Sequence, residues 1–164
     1  MGASVEAALG KAAAKVAFKW RDKTYTINPL SWDTVFSPLT RWMIDREAQS
    51  QNLNWRRLVD VGLLSPETAV AKSESFIDDA VNKGKYAYGS TRMMRVLQPL
   101  VGTEASQDDD AATLEARFKM FSLMCGVPMD TMIEMMGEIG DEIMLKLRMI
   151  TAEGMPAPKE SSPA

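Results

Sequence analysis

The sequence predicts a mainly α-helical single domain with a small N-terminal β-hairpin, spanning residues 15–152. Three observations predict it. Alternation of apolar and polar residues at period 2 is confined to residues 16–27. Beyond residue 30 the apolar residues recur at three- and four-residue spacing. Capping side chains stand just ahead of these periodic segments. A length of 164 residues suits one core. Residues 1–14, small and Ala-rich, read as a flexible or helical arm without a signal-peptide core. Residues 153–164, with Pro156, Pro158 and Pro163, read as a disordered tail.

In the hairpin (15–28), Val16, Phe18 and Trp20 alternate with Ala17 and Lys19, and Tyr25 and Ile27 with Thr24 and Thr26. A two-residue turn at Asp22-Lys23 sets Trp20 opposite Tyr25 and Phe18 opposite Ile27, both pairs on one face. Lysine suits the positive φ of such a turn poorly, and a longer loop including Arg21 is the alternative.

Ser31 is placed to cap the next segment, with Asp33 in its first turn. Pro38 marks a second helix start, with Leu39, Trp42 and Met43 on its inner face. The polar residues 49–52 read as a linker or frayed end. Asn54 then caps a short helix that carries Trp55, Leu58 and Val59 and ends at Gly62. Ser65-Pro66-Glu67 is a strong start signal, followed by Ala69, Val70, Ser73, Phe76, Ile77 and Ala80 at helical spacing, with Gly84 as terminator. Ser90 caps a helix bearing Met93, Met94, Val96 and Leu97, which Pro99 should end or kink. Residues 102–110 form an exposed acidic loop. Leu114, Phe118, Phe121 and Cys125 make an apolar stripe closed by Gly126. From Met129 to Thr151 the apolar spacing supports one long helix, although Gly137 and Gly140 each cost about 1 kcal/mol in a helix interior. Their pairing predicts a kink or a close backbone approach.

The chain has no histidine, one cysteine and thirteen methionines. It therefore lacks the commonest general base and transition-metal ligand, and any disulfide within the chain. No catalytic residue, cofactor or metal is expected, and the chain is read as not an enzyme. Cys125 sits on an apolar stripe with no histidine to activate it and reads as a buried small hydrophobe. Asp108, Asp109 and Asp110 lack the glycine and terminal glutamate of a calcium loop and read as a solvated, helix-starting run. Glu134, Glu138, Asp141 and Glu142 read as a wet helix face, and Trp55 as a core anchor.

Net charge is −3, and the pairs Arg56-Arg57 and Arg92…Arg95 are too small for a nucleic-acid stripe. No nucleic acid is expected as a partner. No apolar run approaches the ~20 residues of a transmembrane helix, so no membrane is expected either. Residues 1–100 carry fourteen basic and ten acidic side chains, and residues 101–164 five and twelve. Such asymmetry marks two solvated faces or a homo-oligomer assembled head to tail. Nine methionines fall between Met120 and Met155. They read as core filler or as an adaptable surface for an apolar partner, the second reading resting on Met132, Met136 and Ile139.

The segment from Phe18 through Tyr25, Ile27, Pro29 and Leu30 to Ser31 resembles the opening of many small tailed-bacteriophage morphogenesis proteins. The likeness continues through a helical body to a final helix pair joined by Cys125-Gly126-Val127-Pro128. The resemblance implies a non-enzymatic tail assembly chaperone or adaptor in the host cytoplasm, which binds an apolar segment of a tape-measure or tail-tube protein. Its alternative is a structural subunit retained in the virion, at the tail, neck or baseplate. No functional residue carries over.

Overall fold

In the computed structural model, residues 16–101 and 109–152 are described. The expected N-terminal arm, the C-terminal tail and residues 102–108 of the acidic loop lie outside them. Period-2 alternation becomes an antiparallel hairpin of β1 (Ala17–Trp20) and β2 (Lys23–Thr26). Phe18 pairs with Tyr25 and Trp20 with Lys23, two residues away from the expected register. The turn explains the difference. Arg21 and Asp22, at φ 50° and 65°, take the two central positions, and Lys23 stays in the strand. A slide of two residues leaves every side chain on its original face, so Val16, Phe18, Trp20 and Ile27 remain buried.

The Ser31 hydroxyl accepts from Thr34 N–H and starts a π-helical turn, Trp32–Phe36, that runs directly into α1 (Ser37–Asp60). The expected break at residues 49–52 and the separate short helix after Asn54 are absent. α1 passes straight through them as one helix of 24 residues. Polar side chains such as Gln49 and Asn52 need no partner there because that half of α1 stands largely in solvent. Gly62, at φ 78°, closes α1: Leu63 N–H reaches Leu58 C=O at 2.9 Å and Gly62 N–H reaches Val59 C=O at 3.0 Å. This Schellman pattern turns the chain sharply. Ser65 then caps α2 (Pro66–Asn82), as expected.

Ser90 caps α3 (Thr91–Val101) through Met93 N–H at 3.2 Å. Pro99 lies inside α3 instead of ending it. A proline leaves the carbonyl four residues earlier without its helical donor, here that of Arg95. Arg117 supplies the replacement: its Nη2 donates to Arg95 C=O at 2.7 Å, and its Nε to Val96 C=O at 3.3 Å.

Arg117 belongs to α4 (Ala111–Cys125), which Asp110 caps through Thr113 N–H at 2.8 Å and Gly126 ends at φ 68°. The inner face of α4 is Ala116, Met120, Phe121, Met124 and Cys125. Leu114, expected on that stripe, is exposed. α5 (Met129–Ala152) carries the anticipated kink at Ile139, whose φ −132° and ψ 34° leave the helical region between Gly137 and Gly140.

Among the described residues, two strands and five α-helices make a mainly α protein around one continuous core. The hairpin is tied to the last helices: Asn28 N–H donates to Met124 C=O at 2.7 Å, and Lys146 Nζ donates to Ala17 C=O.

Candidate partner-binding surfaces

The methionines divide by position. Met93, Met120, Met124, Met132 and Met135 are fully buried, where flexible thioethers fill the gaps between α3, α4 and α5. Met132 is therefore corrected from a surface residue to a core residue. Met136 and Ile139, the other two expected contact residues, are half-buried at the rim of that core. Ile133, beside them on α5, is exposed. The kink turns the helix at this point, and a methyl group added at Gly137 would meet no atom within 4 Å. At Gly137, then, nothing packs closely against α5.

The larger apolar surface lies elsewhere. Beyond Ala48 no residue of α1 is buried, and in α2 only Ala80 is. Residues 49–82 therefore form a two-helix arm that packs mainly on itself. The half-buried residues Gln51, Trp55 and Val59 of α1, and Ala69, Ser73 and Phe76 of α2, fall at helical spacing along one line of each helix. Trp55 is corrected accordingly: it stays half-buried in the arm, outside the main core. Thirteen large hydrophobic side chains are exposed among the described residues, and seven of them lie between Leu53 and Val81. At the tip, Val61 and Leu63 are 68% and 75% exposed. Sequence spacing had a sign of this surface: the apolar positions of α2 fill two adjacent rows, wider than one neighbouring helix covers.

Where the arm meets the body, a cleft of about 440 Å³ is lined by Trp42, Arg46, Glu47, Leu53, Arg92 and Glu115, among others. Its charges are already paired. Arg46 grips Glu115 through two hydrogen bonds of 2.6 and 2.8 Å. Glu47 accepts from the buried Tyr86 hydroxyl at 2.6 Å and lies 3.5 Å from Arg92. Burial, reinforced by the Glu47 carboxylate, pushes that hydroxyl above the ordinary tyrosine range. A phenol held protonated against an engaged carboxylate fastens α1 to the loop before α3; it does not present a free base.

Cys125 is buried, and burial pushes its thiol up to about 12, far from the range of a working nucleophile. Asp110 keeps its expected role as a helix start, with its carboxyl held below the usual range by Thr113. Asp109 departs from the solvated run: its carboxylate is buried against the Arg117 guanidinium. Glu134 and Glu138 remain exposed, paired with Arg21. No group of three or more metal-ligating side chains gathers among the described residues, and no helix there is long and apolar enough to cross a membrane. No known protein family, curated protein or solved structure matches the chain.

Proposed function

We propose that the chain is a non-enzymatic bacteriophage morphogenesis protein, a tail assembly chaperone or adaptor that shields an apolar segment of a tape-measure or tail-tube protein. The arm carries this reading. The arm, helices and tip together, leaves seven large hydrophobic side chains in water, a cost that a partner segment laid against them would relieve. Ile133, Met136 and Ile139 on α5 form a second, smaller contact area in this reading. The absent histidine and the inert Cys125 support a binding role over a catalytic one.

Pull-down of tape-measure segments by the full chain tests the proposal. The double change Val61→Ser and Leu63→Ser should weaken capture about tenfold, the cost of uncovering two anchor side chains. Unchanged capture by the folded variant overturns it. Mass spectrometry of purified virions separates the two roles that the resemblance implies: a chaperone is absent, whereas a retained structural subunit appears at fixed copy number.

A further inference from the structure

Within the arm, α2 presents two parallel rows to solvent. Val70, Ile77 and Val81 are 58%, 40% and 58% exposed, and steps of seven and four residues align them along one stripe. Glu67, Glu74 and Asp78 repeat the same steps three residues earlier, which sets a row of carboxylates beside the apolar one. All three are exposed, and among the described residues none of them is held in an ion pair, whereas the neighbouring Asp79 pairs with Lys83. Ala69, Phe76 and Ala80, on the side toward α1 and the body, are buried or half-buried. α2 therefore has an apolar face wider than the single helix it packs on, edged by unneutralised acid.

We infer that this row is the docking site of an amphipathic helix from another protein, one that carries lysine or arginine along the flank of its apolar stripe. The inference rests on the arm being a partner-binding surface and names the chemistry of what it binds. Val70, Ile77 and Val81 supply the seam. Glu67, Glu74 and Asp78 select the flank, as charged positions beside a helical seam set partner choice in coiled coils. A second copy of this chain is a poor occupant. Antiparallel pairing of two α2 helices centred between Val70 and Val81 brings Glu74 of one copy close to Asp78 of the other, and parallel pairing sets like residues on like. An anionic lipid surface meets the same repulsion.

Fluorescence anisotropy of the full chain with two synthetic helical peptides tests this. The peptides share one apolar stripe and differ only in a lysine or a glutamate flank. The lysine peptide should bind about tenfold more tightly, the sum of three exposed charge pairs. Changing Glu67, Glu74 and Asp78 together to glutamine should erase the preference. Ile77→Asp adds negative charge, so mere attraction between opposite charges would strengthen binding, whereas loss of the seam abolishes it. Should Ile77→Asp lower the helical circular dichroism, Val70→Ser with Val81→Ser serves as the seam variant.

Equal affinity for both peptides, binding of neither, or tighter binding by Ile77→Asp overturns the inference. So does self-association in sedimentation that Ile77→Asp disperses. Failure to capture tape-measure segments alongside a clear lysine preference would remove the chaperone reading and leave this one standing.

Discussion

Arg21 and Glu138, 117 positions apart, meet in a 2.7 Å hydrogen bond between the hairpin turn and the kinked region of α5. Arg21 also reaches Glu134 at 3.4 Å and lies over the Trp20 ring, 4.1 Å from its centroid. One side chain in the left-handed region thus fastens the turn to the last helix. Its ion pairs are about half exposed, so they contribute no more than about 1 kcal/mol.

The turn itself is open to test. Asp22 holds φ 65°, where glycine has no side chain to strain. Asp22→Gly should stabilise the protein by about 0.5–1 kcal/mol. Lys23→Gly, in a strand position, should destabilise it by a similar amount. Urea titrations of both variants distinguish this register from the alternative with Asp22-Lys23 in the turn, where Lys23→Gly gains.

Arg117 and Asp109 have side chains only 8% and 6% exposed. Removing the guanidinium leaves a buried carboxylate unpaired and the Arg95 carbonyl, already without its helical partner, without a donor. Arg117→Leu should cost about 3–5 kcal/mol. The double variant Arg117→Leu, Asp109→Leu should recover part of that loss, because the unpaired charge is gone. Chemical denaturation of the two variants checks the order.

Local chemistry was legible in the sequence and long-range chemistry was not. Ser31, Ser65, Ser90, Asp110, Gly62 and Gly126 declare helix ends because capping involves residues a few positions apart. The kink between Gly137 and Gly140 was legible for the same reason. Pro99 misleads because its remedy, Arg117, lies eighteen residues further along the chain. Residues 49–52 mislead because a polar run ends a helix only if that helix must be buried. Period 2 fixes which side chains of the hairpin face inward, but any slide of two residues satisfies it, so the register depends on the turn. The candidate surface shifted from Met132 to the arm because spacing marks an apolar face without saying whether anything covers it.

At Gly137 there is room for a methyl group, and alanine is the better helix former. Gly137→Ala should stabilise by about 1 kcal/mol and raise Tm by about 3 °C, provided the helical segment before Ile139 keeps its shape. Differential scanning calorimetry reads the shift.

Burial raises the Cys125 thiol from 9.0 to about 12. Its protonated form is favoured in the folded chain, so this stability is fully present below about pH 9 and is lost as pH rises from there towards 12. Alkaline unfolding should therefore be delayed in Cys125→Ala relative to the parent, after allowance for the smaller side chain. A thiol reagent at pH 8 should label the native parent slowly, at a rate that climbs with added urea.

The thin attachment of the arm sets how the molecule opens. With Ala80 the one buried residue of α2, the amides of residues 66–79 are guarded by local opening and not by global unfolding. Hydrogen exchange along that stretch therefore runs ahead of exchange in α4 and in the second half of α5. The same looseness frees the arm in evolution: substitutions there barely touch the core, so the recognised partner is able to drift while the body keeps its fold.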